Sequence, residues 1–214
     1  VTGSMPLQDI ERQLATRCER GEYSAATTLA IQHYGPEVMG YLASTVRAWH
    51  EAADIFAICS EDLWNALPAF QWRCTVRTYF YTLARNARSR FFKAQRARGA
   101  RRGVPLSQAP QIEQAVAHVR TTTPRYRQTA EKAHLARLRQ SLDSFDRDLL
   151  LLRVDRQLSW LEIAAIVQPE TAEISEAEQT RAVAKLRKRF ERIKKRLRQL
   201  HAAERAGEQP GGES

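Results

Sequence analysis

Five residues between Thr75 and Phe92 set the chemistry that this chain could perform: Arg77, Tyr81, Arg85, Arg88 and Phe92. They fall at i, i+4, i+8, i+11 and i+15, which places them on one side of a helix. The stripe alternates guanidinium groups with aromatic rings, and no acid interrupts it. Guanidinium groups pair with phosphate and rings stack on unpaired bases, so the pattern suits a single nucleic-acid strand. On the opposite side Val76, Phe80, Leu83, Ala84, Ala87 and Phe91 recur at three- and four-residue steps, with Tyr79 at their edge, and form a face for a core. The same spacing also fits a solvated basic helix whose rings finish a small core. Immediately before it, Pro68–Cys74 (PAFQWRC) must be a loop or broken turn, and it carries Phe70 and Trp72. Those rings either fold back to plug the core or are offered to a ligand such as an extruded base.

A second candidate surface follows Ser175, which with Glu178 makes an S-x-x-E capping box opening a long helix through about Glu204. Val183, Leu186, Phe190, Ile193, Leu197 and Leu200 form its apolar seam. The outer side carries Arg181, Lys188, Arg192 and Lys195, flanked by Lys185, Arg187 and Arg189. Bases along one helix flank suit a major groove and its phosphates. A short coiled coil and a solvated surface helix are the competing readings.

Charge placement supports polyanion contacts at both places. The stretch from Arg85 to Gly103 holds eight bases and no acid, and that from Arg181 to Leu200 holds ten bases against Glu191 alone. Together they carry +17 of formal charge in a chain of net charge +10, so the remainder is acidic, at −7. An acidic body with two basic surfaces is what two separate polyanion contacts require. Cys18, Cys59 and Cys74 are scattered and the five histidines lie far apart, so no disulfide frame, metal site or cofactor is expected, and a reducing cytoplasm fits. No P-loop, paired-carboxylate motif or nucleophile beside a base is recognisable, which argues against an enzyme. No basic stretch followed by an apolar core suggests a signal peptide, and no apolar run nears the ~20 residues of a membrane span.

The elements around these surfaces are helical. The 214 residues are rich in Ala, Leu, Arg and Glu and contain only nine Gly, so an all-α chain is predicted. Leu7, Ile10 and Leu14 predict a leading helix ending near Gly21. A second runs from Ser24 to His33 and ends at Gly35, and Pro36 opens a third with Val38, Met39, Leu42 and Val46 buried. Trp49 falls in the following turn. Ala52–Leu67 is a fourth helix with Ile55, Cys59, Leu63 and Ala66 inward and Glu51, Asp54, Glu61 and Asp62 outward. That acidic face either solubilises or meets a partner. Ala94–Ala130, with Gly99, Gly103, Pro105, Pro110 and Pro124, reads as a basic linker containing a short helix around Ile112–Val119. Periodicity returns at Glu131 with Leu135, Leu138 and Leu142. A helix over Asp146–Val154 follows, dominated by Leu149–Leu152. Ser159 and Glu162 then make a second capping box, ahead of Ile163, Ala164, Ile166 and Val167.

The run WNALPAF followed by TVRTYFYTLARN resembles region 2 of the extracytoplasmic-function (ECF) sigma factors, in the sigma-70 family. Their pattern is L-W-x-x-L-P-x-F, a short loop, then S-F-R-T-W-L-Y-x-I-A-R-N. Arg77, Thr78, Tyr81, Ala84, Arg85 and Asn86 match it outright, while Thr75, Val76 and Tyr79 replace Ser, Phe and Trp. The second half, with FDRDLLLLR, LSWLEIAAIV and KLRKRFER, resembles region 4, in which Ser159 caps the first helix of a helix-turn-helix. The resemblance implies two small helical domains on a flexible linker: 1–95, a linker at 96–130, 131–206, and a disordered tail at 207–214. It implies a cytoplasmic, non-enzymatic protein that directs RNA polymerase to promoters. Phe70, Trp72, Arg77, Tyr81, Arg85, Asn86 and Arg88 would hold the melted −10 strand. Asp54, Ile55, Ile58, Glu61 and Asp62 would bind the polymerase core, its β′ and β subunits. Arg181, Lys185, Arg187, Lys188, Arg189 and Arg192 would bind the −35 element. Such proteins commonly also meet an anti-sigma factor.

Two departures from the family pattern carry weight. Its core-binding D-L-x-Q-E-x-F reads here Asp54, Ile55, Phe56, Ala57, Ile58, Cys59, Ser60, so its Gln and Glu are missing. The turn of the helix-turn-helix is lengthened to Gln168–Ile174, and the second helix is extended at its N-terminus. A polymerase-independent DNA-binding regulator derived from a sigma factor is therefore the alternative expectation.

Overall fold

The structure, a computed structural model, describes residues 7–46, 48–98, 110–123, 141–168 and 175–207. All regular elements among them are helical. The chain divides into two units, Val1–Arg125 and Tyr126–Ser214.

In the first unit α1 (Leu7–Glu19) lies against α2 (Tyr23–Thr45), which packs with α3 (Trp49–Ala66) and α4 (Val76–Arg98) around a shared core. Ile10 and Leu14 tie α1 into that core, which is built from Val38, Met39, Leu42, Phe56, Leu63, Val76 and Phe80. The break expected at Gly35 does not occur: α2 runs unbroken through Gly35 and Pro36. Proline deprives the carbonyl of Gln32 of its helical donor, but both residues lie on the exposed face, where water can satisfy that oxygen. Gly35 serves a different purpose. A Cβ there would sit 2.9 Å from Val119 Cγ2 and 3.2 Å from Phe56 Cζ, so its missing side chain admits the next helix. That helix is α5 (Pro110–Thr122), which buries Ile112, Ala115, Val116 and Val119 against α2 and α3. The segment read from sequence as linker thus contributes a packed helix to the first unit. Trp49 opens α3 instead of lying in a turn.

In the second unit Asp143 caps α6 (Ser144–Leu150) by accepting from the Asp146 N–H at 2.8 Å, and a π turn at Leu151–Asp155 follows. Then come α7 (Trp160–Val167) and α8 (Glu176–Gly207). All four of Leu149–Leu152 are buried. The expected seam of α8 is buried at Leu186, Phe190 and Ile193 and half-buried at Val183, Leu197 and Leu200. Both predicted capping boxes form. Ser159 N–H donates to Glu162 Oε2 at 2.7 Å and Ser159 Oγ accepts from Glu162 N–H at 3.2 Å; the matching bonds of Ser175 and Glu178 are 3.1 and 3.4 Å. The helix expected from Glu131, the 99–109 part of the linker, most of the Gln168–Ile174 turn and the tail after 207 lie outside the described residues.

Candidate nucleic-acid interface

In the first unit the aromatic loop between α3 and α4 is fixed at both ends. Leu67–Ala69 form a single 3-10 turn that continues α3. At the far end Thr75 Oγ1 accepts from the Thr78 N–H at 3.1 Å, capping α4. A second cap comes from α1: the Glu11 carboxylate accepts from the N–H groups of Val76 at 2.8 Å and Arg77 at 3.2 Å, and from the Tyr34 hydroxyl at 2.8 Å. Its charge complements the positive end of the α4 dipole. Burial, and then Glu11, raise the Tyr34 hydroxyl well above its usual range and push the Cys74 thiol up to about 11. Nothing in the sequence pointed to Glu11, whose two backbone partners on α4 lie more than sixty residues away.

Between these fixed ends Phe70 stacks on Tyr79 with ring centres 4.7 Å apart, and Trp72 meets Phe70 at 5.1 Å. Trp72 remains 41% exposed and holds a φ of 57°, in the left-handed region that a bulky residue enters only at a cost. The loop therefore does both things that its sequence left open: Phe70 folds back onto the helix, and Trp72 presents its ring. Between α3 and α4 an open cleft of about 610 Å³ is lined by Asp62, Asn65, Ala66, Leu83, Asn86, Ser89 and Arg90. Amide, carboxylate and guanidinium groups in one cleft can meet the hydrogen-bonding edge of a base.

The stripe expected along α4 is only partly a surface. Tyr81 is fully buried, its ring edge-on to Tyr41 at 5.5 Å, and cannot stack on a base. Arg77 forms a two-bond ion pair with Glu37 at 2.6 and 2.9 Å, with its side chain 13% exposed. Both expectations fail for one reason. Because α4 is packed by α2 as well as α3, more than one of its faces is internal, and Thr78 and Thr82 are buried with Tyr81. Arg88 reaches the Tyr41 hydroxyl at 3.4 Å, and Arg85 is half-buried. Asn86 is exposed and Phe92 half-buried.

On α3 the expected polymerase face is also thinned. Ile55 is fully buried and cannot touch a partner. Asp62 pairs with Arg90 of α4; burial raises its carboxyl above the usual range although Arg90 acts in the opposite direction. Asp54, Ile58 and Glu61 remain partly exposed.

In the second unit Arg189 is turned inward. It pairs with Asp146 and, at 3.1 Å, with Asp143, and it lies over the Phe145 ring at 4.3 Å. Its expected role on DNA is withdrawn, since the α6 N-terminus holds it. Arg187, though exposed, has its guanidinium 5.9 Å from the Trp160 ring centre. Arg181, Lys185, Lys188 and Arg192 are exposed on one line.

Residues 30–98 match the family model for sigma-70 region 2. The match covers α3, α4, the aromatic loop and most of α2. It supports a member of the sigma-70 family with a role in transcription initiation that binds the RNA polymerase core. No curated protein and no solved structure shows significant similarity to the chain. No helix among the described residues is long and apolar enough to cross a membrane.

Proposed function

We propose that this protein is a sigma factor of the ECF kind, which brings RNA polymerase to promoters, melts the −10 element and itself catalyses nothing. The carrying observation is the region 2 match, which spans both the exposed Trp72 ring and the Asn86 cleft. Trp72 and the cleft take unpaired bases, with Arg85 and Arg88 beside the strand. Stacking contributes about 1–3 kcal/mol per base. Asp54, Ile58 and Glu61 contact the polymerase core. The exposed bases of α8 engage duplex at the −35 position, and an anti-sigma factor is a further partner. This role places the protein in the cytoplasm.

Run-off transcription with core polymerase and a pooled promoter library tests the reading. Discrete start sites that vanish with Trp72→Ala support it. A lack of initiation despite salt-sensitive duplex binding would favour the second reading, a DNA-binding regulator without polymerase. That reading draws on the buried Ile55, the occupied Asp62 and the missing Gln and Glu on α3.

A further inference from the structure

From its charge layout we infer that α8 engages duplex DNA along its flank, through phosphates on a straight row of five bases, and not by inserting its N-terminal end into the major groove. The inference rests on the proposal that the second unit binds duplex, and it specifies how.

The row is Arg181, Lys185, Lys188, Arg192 and Lys195, at i, i+4, i+7, i+11 and i+14. All five are exposed, and none forms an ion pair among the described residues. Fourteen steps of helix rise make the row about 21 Å long. Three cations beside it are diverted, while Arg196 and Arg198 lie beyond its C-terminal end. Arg189 belongs to Asp143 and Asp146, Arg187 lies by Trp160, and Lys194 pairs with Glu191 at 2.7 Å.

The helix N-terminus is unsuited to a groove floor. Its first turn holds Glu176 and Glu178, both exposed. Hydrogen bonds from Ser175 hold the Glu178 carboxyl below its usual range. Insertion end-on would drive these carboxylates between two lines of phosphate. A row of point charges in one line neutralises phosphates, while base discrimination needs side chains directed at base edges.

The test measures binding of the full chain to short duplexes of three unrelated sequences across a range of salt. Flank engagement predicts that affinities for the three agree within about tenfold, far below the ~1000-fold or more of a specific reader. It also predicts that Arg181→Gln and Lys195→Gln, at opposite ends of the row, each lower the salt slope by about 1. Glu176→Gln and Glu178→Gln, which keep the helix and the capping box, should change affinity less than about twofold. End-on insertion predicts the reverse: no effect of Lys195→Gln, and a gain of about tenfold or more when the two acids are neutralised. Either result, or strong discrimination among the duplexes, overturns the flank geometry while leaving duplex binding intact. Failure to bind any duplex would instead remove the proposal beneath it.

Discussion

Within α4, Glu37 holds Arg77, Tyr41 meets Arg88 and Asp62 holds Arg90, whereas along α8 Arg181, Lys185, Lys188 and Arg192 stay in solvent. The two helices look alike as sequence, each a basic stripe beside an apolar seam. Packing separates them. Two long helices flank α4, so guanidinium groups on its sides find partners inside the unit. Among the described residues α8 packs mainly on the short α6 and α7, along one seam, so most of its bases keep their charge available. A basic helix acts as a polyanion surface only where its second face has no neighbour.

Substitutions can break or sharpen that contrast. The largest effect is expected at Tyr81, which the sequence placed on the binding stripe. Tyr81→Ala should destabilise the first unit by about 3–5 kcal/mol in urea unfolding, as a large ring removed from a core does. A stable variant with impaired strand binding would restore Tyr81 to the surface. Next, Arg77→Ala should cost about 2 kcal/mol, because it leaves Glu37 without its two charged hydrogen bonds. Lys188→Ala on α8 should instead stay within about 0.5 kcal/mol of the parent while lowering the salt slope of duplex binding. Similar stability losses at both positions would end the distinction between the helices. Trp72→Gly should weaken binding to a −10 single strand by roughly tenfold. Its stability should remain within about 1 kcal/mol, since relief of the left-handed backbone offsets the lost contact with Phe70.

The smallest effect is in acid, and its sign differs between the units. Burial raises the folded-state value of Asp62 above the ordinary 3.8. The folded first unit then holds this proton more tightly than the unfolded chain does. Asp62 therefore lowers stability as pH rises from 3.8 to that raised value. Asp143 is shifted the other way, first by the Asp146 N–H and also by Arg189. Its contribution is complete above 3.8 and is lost as pH falls through its lowered folded value. NMR titration of the two carboxyls in the full chain should find Asp62 above 3.8 and Asp143 below it; a shared midpoint would contradict both environments.

Helix identity, the leucine-rich core and both capping boxes were legible in the sequence because each depends on neighbours a few positions away. Gly35 and Pro36 misled because their usual local meaning, a stop followed by a start, gave way to a tertiary demand for space at Val119. At the site, Trp72 and Asn86 were picked out through motif and loop context, and both are exposed. Arg77, Arg189, Ile55 and Tyr81 were misassigned because their partners or covering elements come from other helices. A helical wheel separates inside from outside for one packed face and fails for a helix covered on two.

The Glu11 contact has a consequence for the order in which the first unit forms. Thr75 can cap α4 from within its own turn, so that cap is available as soon as α4 is made. The Glu11 cap spans 65 residues and closes a loop whose entropy is recovered only when α1 docks. The N-terminal turn of α4, and with it one end of the aromatic loop, is thus completed late, by non-local contact. A chaperone or inhibitor that held α1 away would leave α4 helical yet its first N–H groups turned to water. Such a grip would loosen the Trp72 loop without touching it.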